Sequence, residues 1–223
     1  MSIRKDFAFL FHDRLGHSGV KSLFLMLSQQ IYWKNLYDYV ATCDTCLKAK
    51  RHFGFRATPL NPLAIPSEPA EIWSMDHKVL SRKTKSGNVA ILCCIDQFSL
   101  WPVIKCVPDV SAATTARVFF EHDQSWGVPK FLMTDKAGSF VGGLFAELAK
   151  LLQIKHRSSA ATMSRSNGLA VRMIQRVNQM IRIYADSDSN IDETVPFIEL
   201  CLRATTHSRI KISPYECVFS GKR

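Results

Sequence analysis

Residues 71–107 read EIWSMDHKVLSRKTKSGNVAILCCIDQFSLWPVIKCV, and this stretch decides the fold. Its apolar residues form three short runs, separated by polar and turn-forming residues such as Ser86, Gly87 and Asn88. Runs of this length between turn residues are typical of strands joined as hairpins. We therefore predict an antiparallel meander, with strands at Ile72–Leu80, Val89–Asp96 and Trp101–Val107.

Helices and one further strand are predicted after the meander. Ser111–His122 reads as a helix, for which Ser111 is a suitable N-cap. Lys130–Thr134 reads as a short buried strand. Two more helices are predicted at Leu144–Leu152 and Gly168–Tyr184. Three strands, a helix, a strand and then helices is the order of the ribonuclease-H-like fold, in which helices flank a sheet.

The chain before the meander divides into a helical unit and a proline-rich segment. Apolar residues recur at helical spacing in the first part, at Val20, Leu23, Phe24, Leu27 and Ile31. Residues 53–70 contain Pro59, Pro62, Pro66 and Pro69. Proline at that density can neither continue a helix nor occupy a central strand. We predict a helical domain at 1–52, an extended linker at 53–70 and a second domain at 71–223.

Two pairs of potential metal ligands lie in the helical unit. His12 and His17 come before the apolar helical run, and Cys43 and Cys46 come after it. Two imidazole nitrogens and two thiolates suit a closed tetrahedral zinc site, and a unit this small gains stability from a metal. Surface histidines beside an unrelated CxxC are one alternative. A redox CxxC is another, although that motif normally follows a strand, whereas here it follows an apparent helix at 36–40.

The residues around these ligands resemble a known family. HDRLGHSGV (12–20) and IYWKNLYDYVATCDTCLKAK (31–50) are similar to the HHCC domain of Ty3/gypsy-type LTR-retroelement integrases. EIWSMDHKVL (71–80), GVPKFLMTDKAGSF (127–140) and SPYECVFSGKR (213–223) match phrases of the integrase core. The resemblance therefore covers almost the whole chain. It implies a small helical domain with structural zinc, followed by a ribonuclease-H-like catalytic core, a five-stranded mixed α/β sheet flanked by helices.

The same resemblance implies a catalytic site that has lost one carboxylate. Asp76 and Asp135 stand where the family has its first two catalytic Asp residues, the ligands of Mg²⁺ or Mn²⁺. The family's third ligand is a Glu on a helix introduced by Asn-Gly. SRSNGLAVRMIQRVNQMI (164–181) keeps the Asn-Gly, but Val171 occupies the Glu position. We therefore expect Mg²⁺ or Mn²⁺ to bind weakly or not at all, and polynucleotidyl transfer to be lost.

Two other readings of the acidic residues stay open. No Asp or Glu occurs from Leu148 through Ala185. Glu147, on the preceding predicted helix, or a carboxylate of a partner chain would have to complete an active strand transferase. An Asp at a strand end can also simply cap a turn.

The charge balance favours a polyanionic partner. The formal net charge is +10, and DNA or another nucleic acid is the commonest partner for such an excess; a solubility surface is the alternative. Candidate phosphate contacts are Lys48, Lys50, Arg51, Arg172 and Arg176. On the last predicted helix the expected buried stripe is Ala170, Ile174, Val177, Ile181 and Tyr184. Arg172, Arg176 and Gln179 lie off that stripe, on an expected solvent face.

Three functions therefore remain open at this stage. The first is a catalytically impaired, integrase-like protein that binds nucleic acid, and the second is an active DNA strand transferase. The third is a host-retained interaction module that forms a homodimer or higher oligomer through Ser111–His122 and the last helix. The seven cysteines do not form a disulfide pattern, and neither a signal peptide nor a membrane span is recognisable. Nuclear residence is implied by the family, as is a C-terminal domain that the chain does not show.

Overall fold

The computed structural model describes residues 10–28, 43–49, 65–123, 127–134, 143–158, 168–184 and 191–220. Its elements are α1 Val20–Ser28, α2 Asp44–Ala49, β1 Ile72–Val79, β2 Ala90–Asp96, β3 Pro102–Val107, α3 Ala112–Asp123, β4 Phe131–Thr134, α4 Gly143–Leu151, β5 Lys155–Ser158, α5 Gly168–Tyr184, α6 Ile191–Ala204 and α7 Pro214–Phe219. Every strand and helix predicted from residue 71 onward is present, with ends that agree to within one residue. The predicted N-cap of α3 is also present, since the Ser111 hydroxyl accepts a hydrogen bond from the Thr114 amide.

The strands form one mixed sheet in the order β3-β2-β1-β4-β5. β1, β2 and β3 are the antiparallel meander, and Asp76 of β1 is paired with Cys93 of β2. β4 and β5 join the sheet in parallel, with Ile72 beside Phe131 at the start of the β1–β4 pair. This topology is that of the ribonuclease-H-like fold.

Each face of the sheet is covered by a pair of helices. Side chains alternate between the two faces along a strand, so neighbouring residues enter different cores. The first core unites Trp73, Met75, Leu92, Cys94 and Leu132 with Phe119 of α3 and Ala149 of α4. The opposite core unites Ile91, Cys93 and Ile104 with Ile174 and Val177 of α5 and Val195 and Ile198 of α6. The core domain therefore has three layers, with the sheet in the middle.

Three elements of the core domain were not located by the sequence interpretation, although the resemblance implied a fifth strand. β5 is a four-residue edge strand of sequence KHRS, which lacks the apolar alternation that marks a strand. α6 carries Pro196 inside the helix, where proline normally argues against a helix. α7 is a six-residue helix with a capping box formed by Ser213 and Glu216. That S-x-x-E pattern, followed by an apolar run, was the available signal for α7.

The buried stripe of α5 differs from the predicted one at its C-terminal end. Ala170, Ile174 and Val177 are buried as expected, but Met180 completes the stripe. Ile181 and Tyr184 are only half-buried. The reason is tertiary, because Met180 faces Gly16 of the N-terminal unit.

The N-terminal unit rests on α5 and α6. The Tyr184 hydroxyl donates to the Asp13 carbonyl at 2.5 Å, and the Cys201 thiol lies 3.6 Å from the Arg14 carbonyl. The described range begins again at Ile65, so the predicted linker lies mostly outside it and the domain boundaries stay predictions. None of the helices in the described ranges combines the length and apolar character that crossing a bilayer requires.

Candidate metal centre and carboxylate site

The two histidines are brought together by a tight turn. Residues 10–14 are helical, and the chain then reverses through two left-handed residues, Gly16 with φ 77° and His17 with φ 49°. The His17 amide donates to the His12 carbonyl at 2.8 Å and closes the turn. A left-handed residue after a helix is usually glycine, and histidine is among the few others that tolerate this conformation. The turn thus sets both imidazoles on one side of the chain.

The two cysteines lie at the start of a helix. Cys43 immediately precedes α2, and its carbonyl accepts the first helical hydrogen bond, from Leu47, at 2.9 Å. Cys46 lies one turn further along, so its thiol returns to the same side. The apparent helix at 36–40 lies outside the described residues. A helix start is also where a redox CxxC would lie, so the histidines decide between the two readings.

All four predicted ligands converge on one point. The donor atoms of His12, His17, Cys43 and Cys46 lie within 4.8 Å of one another. The Cys46 sulfur is 3.3 Å from His12 Nε2 and 3.5 Å from His17 Nδ1, and the Cys43 sulfur is 3.5 Å from His17 Nδ1. Tetrahedral zinc with ordinary Zn–S and Zn–N bonds requires nitrogen–sulfur separations of about 3.5 Å.

Burial distinguishes a structural from a catalytic centre. His12, His17 and Cys46 are nearly inaccessible, at 1%, 7% and 5% exposure. A catalytic zinc keeps an open position for water, whereas a structural zinc is closed by four protein ligands. The donor set, the separations and the burial fit a structural zinc ion, and they disfavour both surface histidines and a redox pair.

The metal centre lies directly against the core domain. The ring of His17 is 6.2 Å from that of Tyr184 at the end of α5. Burial is the main cause that raises the pKa of Tyr184 to about 12, so its hydroxyl stays protonated as a hydrogen-bond donor. A Cβ atom on Gly16 would lie 2.3 Å from the terminal methyl of Met180. The ligand turn and α5 are therefore packed so closely that a side chain at position 16 would displace the Met180 methyl.

Asp76 lies in the middle of the sheet, on β1. Its neighbours Met75 and His77 are directed toward α3, where His77 Nε2 is 3.1 Å from the Thr115 hydroxyl. By alternation the Asp76 side chain belongs to the other face, the one covered by α5 and α6. The Asp76 carboxylate accepts the His77 amide at 2.8 Å. On the same face, burial first and then Asp76 raise the pKa of Cys93, so that thiol remains protonated.

The other candidate positions for metal ligands differ in how they lie relative to Asp76. Asp135 lies outside the described residues, which end at Thr134 on β4, the strand parallel to β1. Val171 is half-buried in the first turn of α5, and α5 packs against β1 and β2. Glu147 is exposed on α4, which packs with α3 on the opposite face. This position argues against Glu147 as a third ligand beside Asp76.

The candidate phosphate contacts do not form one surface. Lys48 is exposed at the end of α2, and Lys50 and Arg51 lie outside the described residues. Arg172 is exposed on α5 as expected. Arg176 was predicted on a solvent face, and that prediction is wrong, because the residue is partly buried beside α6 and its pKa is lowered by that burial. Gln179 is likewise half-buried.

One basic cluster was missed by the sequence interpretation. Arg172 and Arg176 line a cleft together with His207 and Arg209, which follow α6. Burial first, and then the three arginines, lower the pKa of His207 to about 4. No local signal joined these residues, because His207 and Arg209 lie more than twenty residues beyond the end of α5 and only folding brings them together.

Comparison with known proteins supports both parts of this architecture. Residues 1–52 match the model of the integrase zinc binding domain family. An uncharacterized protein of Caenorhabditis elegans is 25% identical over 212 residues, 93% of this chain and 16% of that protein. The transposon Tf2-3 polyprotein of Schizosaccharomyces pombe is 24% identical over 215 residues, 92% of this chain and 16% of the polyprotein. The chain thus spans about one sixth of these relatives.

A solved structure shares the fold of the core. The catalytic core domain of BIV integrase superposes with a TM-score of 0.56 at 16% identity, covering 68% of this chain and 95% of that domain. A buried cluster of four potential metal ligands next to a ribonuclease-H-like sheet is consistent with these similarities. Residues 1–52 match the integrase zinc binding domain model, and the chain as a whole resembles Ty3/gypsy-type retroelement integrases.

Proposed function

We propose that this chain is a nucleic-acid-binding, integrase-like protein whose strand-transfer chemistry is impaired because Val171 replaces a carboxylate. The observation that carries the proposal is the position of Val171, in the first turn of a helix that packs on the strand of Asp76. α5 covers the face of the sheet to which Asp76 belongs, and valine at position 171 offers no oxygen ligand.

The chemistry explains why one missing ligand matters. Divalent metals held by three carboxylates would activate the attacking oxygen and stabilise the leaving oxygen of a phosphoryl displacement. We propose that Asp76 and Asp135 are the two remaining ligands. In the sequence, Asp135 directly follows Thr134, the last residue of β4. Two carboxylates hold Mg²⁺ weakly, because the ion requires near-ideal octahedral geometry and strong oxygen ligands.

Nucleic-acid binding is supported by charge rather than by a shaped surface. The chain carries +10, and exposed cations occur both on the N-terminal unit, at Lys48, and on the core, at Lys155, Arg157 and Arg172. Lys155 and Arg157 also lie over the ring of Phe131, so their alkyl chains cover the edge of the sheet. Contacts between these cations and phosphates predict an affinity for nucleic acid that falls steeply as the salt concentration is raised.

The test is a reversion experiment with Mn²⁺. Nicking and strand transfer on a model DNA end are measured for the parent chain, Val171→Glu, and Val171→Glu combined with Asp76→Asn. Gln175→Glu is the matched control, because Gln175 is exposed one turn further along α5 and receives the same charge. We expect strand transfer by Val171→Glu. The rate in each of the other three chains should be at least about a hundredfold lower than in Val171→Glu.

Two results would contradict the proposal. If the parent chain is already as active as Val171→Glu, the site is complete without a carboxylate at 171. If Gln175→Glu restores activity as well as Val171→Glu does, the added charge and not its position is responsible. Binding of the parent chain to DNA is measured separately by anisotropy against salt, and salt-independent binding would contradict the electrostatic part.

A second candidate function is self-assembly, favoured by an exposed apolar groove between α3 and α4. The groove is about 610 Å³ in volume and is lined by Ala116, Phe120, Val128, Leu148 and Leu152, among others. We propose a second copy of this chain as its occupant. Sedimentation of the parent chain and of Leu152→Glu tests this, because a dimer through the groove dissociates in the variant and persists at high salt. A monomeric parent chain contradicts it.

A further inference from the structure

A basic cleft lies between the first half of α5 and the segment that follows α6. The cleft, of about 400 Å³, opens between α5, the 205–213 segment and the turn that joins β2 to β3. Its polar lining is Arg172, Arg176, Thr205, His207, Ser208 and Arg209, and among the described residues no acidic side chain lines it. Its apolar wall consists of Ile95, Leu100, Leu169, Met173, Leu202 and Pro214. A volume of this order is within the range of small-molecule sites.

The arginines of this cleft are not paired with a carboxylate of any described residue. Within the described part of the chain, no ion pair involves Arg172, Arg176 or Arg209. Two acidic residues of the adjoining helices are engaged elsewhere, Glu199 with Arg203 and Lys105, and Glu216 with Ser213. Arg172 and Arg176 are one helical turn apart, where like charges destabilise a helix. A partly buried guanidinium without a counter-charge is costly, so the arrangement suits an anion that arrives from outside.

The segment opposite α5 is held in place by its own hydrogen bonds. The His207 amide donates to the Ile212 carbonyl at 2.9 Å, and the Lys211 amide donates to the His207 carbonyl at 2.8 Å. The Arg209 amide donates to His207 Nδ1 at 3.2 Å. An imidazole that accepts at Nδ1 and is neutral carries its proton on Nε2 and presents it as a further donor. The cleft is therefore preformed, with donors and no acidic group on its lining.

We propose that this cleft binds a nucleotide unit by its terminal phosphate, with Arg172, Arg176 and Arg209 as the phosphate ligands. Guanidinium groups match phosphate oxygens in geometry and charge, and the apolar wall offers contact area for a base and sugar. The unit comes either from the phosphorylated 5′ end of a strand or from a free nucleoside monophosphate. If the cleft binds a strand end, the inference rests on the proposed nucleic-acid binding. If the cleft binds a free nucleotide, the inference is independent of that proposal.

The experiment compares probes that differ only in the terminal phosphate. Anisotropy is measured on the zinc-loaded full chain with a short single strand bearing a 5′-phosphate and with the same strand bearing a 5′-hydroxyl. Adenosine 5′-monophosphate, adenosine and inorganic phosphate serve as competitors. Arg209→Gln removes a phosphate ligand from an exposed loop position, and Arg182→Gln removes the same charge from an exposed position of α5 outside the cleft.

We expect the 5′-phosphorylated strand to bind the parent chain at least about tenfold more tightly than the 5′-hydroxyl strand. Arg209→Gln should abolish this preference, and Arg182→Gln should keep it. Adenosine 5′-monophosphate, but not adenosine, should compete with the phosphorylated strand. NMR titration should also show that the monophosphate raises the pKa of His207 from about 4. Equal binding of the two strands, with no competition by the monophosphate, overturns the proposal, as does an equal effect of the two variants.

The results also separate this inference from the proposed function. Tight binding of an end-blocked duplex without any 5′-phosphate preference refutes the cleft and leaves nucleic-acid binding intact. The opposite result is also informative. If the free monophosphate binds in a way that depends on Arg209 and neither strand binds, the cleft is supported and the proposed nucleic-acid binding is contradicted.

Discussion

Gly16→Ala probes the contact between the metal-binding turn and α5. Gly16 has a φ of 77°, a conformation that costs an alanine roughly 1–2 kcal/mol. The added Cβ would also lie 2.3 Å from the Met180 methyl, which must move. Because that methyl ends a flexible side chain, we assign about 1 kcal/mol to its displacement. The expected loss is therefore about 2–3 kcal/mol of unfolding free energy, or roughly 4–12 °C in Tm for a chain of this size.

Gly19→Ala is the matched control, since no atom lies within 4 Å of a Cβ placed there and its φ is not positive. It should change the unfolding free energy by less than about 0.5 kcal/mol. Thermal and urea unfolding of the zinc-loaded chains measure both variants, with the zinc content determined in parallel.

The Met180→Ala background separates the two contributions. There the cost of Gly16→Ala should fall by about 1 kcal/mol, because only the backbone conformation still opposes alanine. An unchanged cost in that background would refute the contact between the turn and α5. A cost below about 0.5 kcal/mol in the parent background would refute the left-handed turn as well.

Three further predictions concern the metal and two titrating groups. Cys46→Ser, or chelation, should remove the zinc ion and lower the Tm of the core because the N-terminal unit packs on it, whereas Cys106→Ser should keep one zinc per chain by elemental analysis. Although burial opposes it, hydrogen bonds from Thr84, Asn88 and Ser86 hold the pKa of Asp192 at about 2. The stability that this carboxylate adds, about 1 kcal/mol after solvent screening, is therefore present above pH 4 and lost as the pH falls toward 2; Asp192→Asn should lack this dependence in urea titrations. Burial and the neighbouring arginines lower the pKa of His207 to about 4, so the free energy of unfolding should fall as the pH drops from about 6.5 to 4. If the free energy of unfolding of His207→Gln falls with pH just as steeply, that assignment is contradicted.

Local patterns were sufficient for most elements of the core domain. The meander at 71–107 and helix α5 followed from apolar periodicity and turn residues, signals that nearby residues carry. β5, α6 and α7 were missed where the local pattern was short, polar or interrupted by Pro196. Each of these three is stabilised by partners distant in sequence, which a local pattern does not contain.

The sequence by itself determined the residue types of the two sites. Two histidines and two cysteines in short-range pairs supply the donor atoms of a zinc site, and the resemblance to the HHCC domain favoured that reading over a redox CxxC. Val171 was recognised because the Asn-Gly before it keeps the position identifiable. Both inferences depend on the identity and order of residues, which the chain carries whether or not it is folded.

Only the tertiary structure decided what lies next to these residues. It placed the metal-binding turn against Met180 and Tyr184, and it placed Glu147 on the face of the sheet opposite Asp76. It also showed that Arg176, which was predicted on a solvent face, lines a cleft together with His207 and Arg209. The physical reason is that side-chain environments arise from packing between segments far apart in the chain, and such packing has no periodicity along the sequence.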